Sequence, residues 1–270
     1  MKKMFVIIAA LSVIAAVIGC AIGVAAPRTL AENGKLLKGS GDLVTRNFEV
    51  SGFTAVRADG CAEVLLVEGS GPVTVEADDN VMEFVAVRVE GNTLRIGLRT
   101  PDVRRISDIT LRATVPAGGN LSALRAKGAS RIDVRPVVTA ERLSVEASGA
   151  ASIRASVRTD ACDITATGAS DIKIACDGGL TKTDASGAAK IELSGTASQL
   201  TAETSGAAKL RAEGLDTEIC RAEASGASKI SLRCTRKLTA DASGAAKITY
   251  TGGSTDNTVS KSGAGSVKRR

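Results

Sequence analysis

Histidine and tryptophan are missing from the 270 residues, and tyrosine occurs once, as Tyr250. Without histidine the chain lacks the commonest general base and the commonest metal ligand. Aromatic residues make up only 2%. Proteins that hold single-stranded nucleic acid stack bases on rings beside a concentrated basic stripe. Here Asp and Glu (29) are interspersed with Lys and Arg (35), and the net charge is +6, partly from Lys2 and Lys3. No nucleic-acid partner, no metal and no cofactor are expected. Hydrophobic residues still reach 44%, so a core exists, but Ala, Val, Ile and Leu must fill it and it must be thin.

The N-terminus carries the longest uncharged run. Lys2 and Lys3 precede Met4–Ala26, which holds no charge and ends at Pro27 and Arg28. That length suffices to cross a bilayer as a helix, and the two lysines favour a cytoplasmic N-terminus. Three readings stay open. The run is an uncleaved anchor, or a lipoprotein signal with Val17-Ile18-Gly19-Cys20 as lipobox and Cys20 as the lipidated residue, or a cleaved signal peptide. All three place the folded part outside the cytoplasm, and the two anchored readings make the membrane a partner. Residues 1–28 are thus the signal or anchor, and 29–41 a polar spacer.

What dominates the rest is a repeat. Gly-Ala pairs begin at Gly128, Gly149, Gly168, Gly187, Gly206, Gly226, Gly244 and Gly263, with gaps of 21, 19, 19, 19, 20, 18 and 19. Four residues after each Gly stands an apolar side chain: Ile132, Ile153, Ile172, Ile191, Leu210, Ile230, Ile248 and Val267. Two before it stands a small one, usually Ala. Odd offsets are polar, so the pattern has period two, the mark of a half-buried strand. A unit this short cannot bury its apolar face alone, and stacking buries a continuous core. The expected fold is all-β: a parallel β-solenoid of about eight short coils over 128–270. Residues 42–127 read as irregular β coils that start and cap it, with Asp78-Asp79-Asn80 opening one helical turn and Asn92-Thr93 a hairpin.

Two charged columns follow from the alignment. Lys190, Lys209, Lys229 and Lys247 lie three after the Gly, and Asp184, Glu203, Glu223 and Asp241 three before it. Their stacked like charges repel. A bend at the Gly is expected to bring the columns close enough to neutralise each other. The alternative is an ordered ladder that binds a repetitive polymer. The Ser column (Ser148, Ser186, Ser205, Ser225, Ser243) has no base at a suggestive place and reads as structural.

There are six cysteines. Cys162 and Cys176 lie six before and eight after Gly168, and Cys220 and Cys234 lie likewise about Gly226. The even offsets point all four inward. Outside the cytoplasm the expected pairs are Cys162–Cys176 and Cys220–Cys234, each clamping a coil, against the alternative of free buried thiols. Cys61 is left over and expected to be buried.

Several segments carry a resemblance: Gly39-Ser40-Gly41, Arg46-Asn47-Phe48, Phe53-Thr54-Ala55-Val56, Val64–Gly69, Val73–Asp78, Gly91–Ile96 and the tandem Ser-Gly-Ala units. Together they resemble the head GIN domain family of autotransporter adhesins, over residues 39–267. The resemblance implies a parallel β-solenoid on a bacterial cell envelope and carries over no catalytic residues. The expected function is a non-catalytic, membrane-tethered surface module with a glycan, cell-wall or protein ligand. The alternatives are an envelope scaffold without its own ligand and a polysaccharide-active β-helix enzyme. The latter normally needs clustered carboxylates and aromatic sugar platforms, and the platforms are missing. The open strand edge at the last coil also permits edge-to-edge self-association.

Overall fold

A strand with one apolar face needs a neighbour above and below it, and the chain supplies both from its own repeats. A computed structural model describes residues 35–99, 103–118 and 120–270. The first half holds β1 (Lys35–Lys38), β2 (Leu43–Phe48), β3 (Ala55–Gly60), β4 (Glu63–Glu68) and β5 (Val73–Asp78). After them come the single-turn helix α1 (Asp79–Met82), β6 (Val85–Glu90), β7 (Thr93–Leu98), β8 (Val103–Ser107), β9 (Leu111–Ala117) and β10 (Ala123–Gly128). The second half is a run of long strands: β11 (Arg131–Gly149), β12 (Ser152–Ala166), β13 (Asp171–Ala185), β14 (Lys190–Thr204), β15 (Lys209–Ala224) and β16 (Lys229–Ala242). It ends with β17 (Lys247–Thr251), β18 (Asp256–Lys261) and β19 (Ser266–Arg269).

From β10 to β19 every strand pairs parallel with the next coil, and equivalent residues fall in register. Ile153, for example, stands on Ile132 and under Ile172. This is the parallel β-solenoid that the spacing predicts. The Ile column is buried throughout, and so is the small column Ala126, Ala147, Ala166, Ala185, Thr204, Ala224 and Ala242. Each fully buried Ile stabilises the stack by about 1.5–3 kcal/mol relative to exposure.

The Ser-Gly-Ala corner has a stereochemical cause. Gly187 sits at φ +74°, and a Cβ there would meet the Gly168 carbonyl oxygen at 2.9 Å. The backbone passes so close because rung hydrogen bonds continue around the bend. Ser186 N–H donates to Ala166 O (2.9 Å), Ala188 N–H to Gly168 O (2.7 Å) and Lys190 N–H to Ser170 O (2.8 Å). Only glycine combines that φ with that approach.

The regular stack reaches further toward the N-terminus than the Gly-Ala spacing indicates. Residues Ala55–Gly60 of β3 lie in register under Ala123–Gly128, so Gly60 (φ +74°) belongs to the corner column. The signal was present in Ala58-Asp59-Gly60-Cys61-Ala62, which keeps the inward Ala positions but replaces Gly-Ala by Gly-Cys. The order of coils in space differs from the order in sequence. β7 lies parallel under β3, and β9 under β4, although both follow them in the chain. Antiparallel β6, β5 and β2 then close this end of the sheet. The expected hairpin joins β6 to β7, with its turn at Gly91-Asn92, one residue earlier than the Asn92-Thr93 expected. α1 forms where expected, but the Asp78 side chain makes no cap. Instead its buried carboxylate accepts N–H bonds from Gly41 (2.8 Å) and Thr110 (2.7 Å), which pins the chain before β2. Residues Leu36–Arg270 form one unit. The expected anchor and Cys20 lie outside the described residues, and among those described no helix is long and apolar enough to cross a membrane.

Candidate functional site

Coils of unequal length must place their extra residues somewhere. The 21-residue coil takes them as a bulge in β11 between Asp133 and Val137, and the 20-residue coil in β15 after Ala212. Bulges re-aim side chains and gather at functional positions. Beside the first bulge opens a groove of about 550 Å³ whose polar lining includes Asp133, Arg135, Arg154, Lys173, Glu192 and Ser194. Lys173 Nζ pairs with Glu192 across one rung at 3.0 Å. Arg154 and Lys173 stand in register with each other, so two cations share the groove floor. These residues were not singled out in the sequence. The signal for them is the single 21-residue gap.

The two ladders behave differently from expectation. Asp184, Glu203, Glu223 and Asp241 stand in register on successive coils, as do Lys190, Lys209, Lys229 and Lys247. No ion pair within 4.0 Å joins one column to the other among the described residues. The corner at Gly187 and its equivalents, with Ser, Gly and Ala between the columns, keeps one ladder on each flank. The expected mutual neutralisation by contact is therefore not what the fold provides. Among the eight, Glu223 alone has an ion-pair partner within the described residues, Arg221 at 2.6 Å. A groove of about 520 Å³ runs beside the acidic ladder, lined also by Ser205, Ser225 and Ser243.

Near the N-terminal end, Asp59 accepts from Arg57 Nε (2.9 Å) and Arg95 Nε (3.0 Å), and Arg95 and Arg88 both reach Glu90 (3.1 and 2.6 Å). The Arg88 and Arg95 guanidinium groups hold the Glu90 carboxyl below its usual range. Hydrogen bonds to Glu90 and Asp59 hold Arg95 above its own. Every charge in this cluster has a partner, so it reads as a structural lock on β3, β6 and β7.

The four inward cysteines come together in pairs, and all are free thiols. Each pair spans adjacent rungs: Cys162 lies in β12 and Cys176 in β13, Cys220 in β15 and Cys234 in β16. Burial pushes the Cys162 thiol up to about 12, and burial also raises Cys176. Cys220 and Cys234 interact directly. Their contact, with burial, holds Cys220 above the usual thiol range and makes Cys234 the first to ionise. The slots are not identical, contrary to the phase count. Cys162 and Cys220 share one column, but Cys176 stands on Val157 while Cys234 stands on Thr217, because the β15 bulge shifts the register. Cys61 takes the corner position after Gly60 and is half-buried rather than buried; burial raises its thiol pKa. No group of three or more Cys, Asp or Glu suited to a metal occurs among the described residues.

A family model described as "Putative auto-transporter adhesin, head GIN domain" matches residues 52–179 and again 159–254. The chain belongs to this family. No curated protein matches it. Among solved structures, a protein of Parabacteroides distasonis described as a putative lipid-binding protein is similar at TM-score 0.78 and 19% identity, over 87% of this chain and 100% of that one. An adhesin of Parabacteroides merdae, itself so described only by presumption, gives 0.77 and 17%, over 87% and 99%. One of Bacteroides fragilis gives 0.64 and 21%, over 87% and 100%. At such identities these likenesses concern the fold. The overlap of the two family matches reflects the repeat itself, which lets the same pattern fit twice.

Proposed function

We propose that this head-domain protein is a non-catalytic binding module of the bacterial cell envelope, tethered to the membrane by Met4–Ala26 and presenting its solenoid outside the cytoplasm. The observation that carries this reading is the groove at the β11 bulge. There a regular stack departs from its repeat and gathers Arg135, Arg154 and Lys173 with Asp133 and Glu192 on an open surface. Mixed charges in an open groove suit a polar ligand such as a glycan or a cell-wall fragment, held by several hydrogen bonds. Family membership supports adhesion, and the absence of histidine supports binding without turnover. The test is adhesion of cells that express the full chain to immobilised glycans and cell-wall fragments. Retention above vector control is expected, with loss in an Arg135→Glu/Arg154→Glu variant that reaches the surface equally. Retention unchanged by that variant, or none at all, would overturn the proposal.

A further inference from the structure

Some charged residues on neighbouring rungs of this solenoid are relieved by a partner. In-register pairs of opposite sign close at Arg125–Glu146 (3.2 Å), Arg158–Asp177 (3.2 Å), Lys173–Glu192 (3.0 Å), Asp216–Arg233 (2.7 Å) and Lys237–Asp256 (3.1 Å). Where like charges adjoin near the N-terminal end, Arg57 and Arg95 share Asp59. The two ladders offer no rung of opposite sign within themselves. Each stacks four like charges in register on the same four corners, about 4.8 Å apart and so about 14 Å end to end. Like charges directly opposite each other destabilise a sheet. Seven of the eight nevertheless have no ion pair among the described residues.

We propose that the ladders bind each other between two copies of this chain, the lysines of one against the carboxylates of the other. The partner must offer four charges in a straight line at the rung spacing. A second copy of the same solenoid does so by construction, whereas a flexible polymer would have to be held to that pitch. Opposite signs occur in equal number, and they flank the corner of each coil as matched pairs: Asp184 with Lys190, Glu203 with Lys209, Glu223 with Lys229, Asp241 with Lys247. The groove beside the acidic ladder, lined also by Ser205, Ser225 and Ser243, gives long lysine side chains a place to enter. Symmetry selects the arrangement. A two-fold axis along the solenoid sets each acidic ladder opposite the partner's basic one with rungs in step; a two-fold across it sets acid against acid. In the contact each lysine lies among carboxylates and each carboxylate among lysines, which relieves the repulsion within both columns.

The contact is separate from the groove at the β11 bulge and uses none of its residues. Its test is sedimentation velocity of the full chain in neutral detergent at about 20 mM and about 500 mM salt, where Debye screening differs several-fold. Self-association at low salt and dissociation at high salt are expected. The quadruple variant Lys190→Glu/Lys209→Glu/Lys229→Glu/Lys247→Glu should stay monomeric at low salt, as should Asp184→Lys/Glu203→Lys/Glu223→Lys/Asp241→Lys. Mixed together, the two should associate, because each supplies what the other lost. Circular dichroism checks that both fold. Should either fail, Lys→Gln at the same four positions removes charge without adding repulsion and should weaken association at least about tenfold. A wild-type monomer at low salt overturns the proposal. So does association that ignores these substitutions, or folded variants that do not pair when mixed.

Discussion

At the scale of the residue, the repeat is explained by backbone stereochemistry as much as by burial. Gly206 holds φ +67°, and a Cβ there would stand 3.0 Å from Gly187 O. Gly206→Ala is therefore expected to cost about 1–3 kcal/mol, read as a lower midpoint in urea unfolding at unchanged slope. The corner glycines were legible in the sequence because one stereochemical demand recurs at every rung. Ser170 was not. Its hydroxyl is buried and has no hydrogen-bond partner among the described residues, whereas the equivalent Ser130 and Ser228 hydroxyls are bonded to backbone carbonyls and the equivalent positions 151, 189, 208 and 246 hold Ala. Burying an unpaired hydroxyl costs about 1–3 kcal/mol. Ser170→Ala should recover part of that and raise the thermal midpoint; an unchanged or lowered midpoint would mean the hydroxyl is satisfied in solution.

At the scale of the element, each coil is a nearly interchangeable rung. Excising residues 190–208 joins Ala189 to Lys209, the same junction that Ala208–Lys209 makes, and sets β15 directly on β13 with the columns kept on either side of the β15 bulge. The shortened chain is expected to fold with native-like circular dichroism and a modestly lower stability, as repeat arrays lose one unit and one interface. Excising half that length would shift inward residues out of phase and should leave the chain unfolded. The period told this much in advance. It could not tell where surplus residues bulge, because a Gly-to-Gly count sums a coil without locating its irregularity. That is why Cys176 and Cys234 share a phase but not a column, and why the groove at Arg135 went unseen. Cys220 and Cys234 are free thiols on adjacent coils that influence each other's ionisation, so a bridge is expected there when a thiol–disulfide exchange partner takes up the two electrons and the two protons are released. Closing a loop of this length contributes about 3 kcal/mol. Alkylation of the envelope-extracted protein without reductant should leave Cys220 and Cys234 unmodified; full alkylation of both would exclude the bridge.

At the scale of the whole molecule, a solenoid that binds at its flank needs only one end fixed. The N-terminal end of the sheet carries antiparallel β2, β5 and β6, so among the described residues the parallel rungs do not end there in an exposed parallel edge. The choice between anchor and lipoprotein turns on Cys20. The uncharged run spans Met4–Ala26, which at 1.5 Å per residue is about 34 Å of helix, enough for a hydrocarbon core of about 30 Å. It continues for six residues beyond Cys20, which a lipoprotein anchored through Cys20 would leave as an apolar stretch at its new N-terminus. An uncleaved anchor uses the whole run. The chain is accordingly expected to stay in carbonate-washed membranes at its full-length mass, to take up no labelled fatty acid, and to remain there unchanged in a Cys20→Ser variant. Fatty-acid labelling together with release of that variant from the membrane would assign the tether to Cys20 instead.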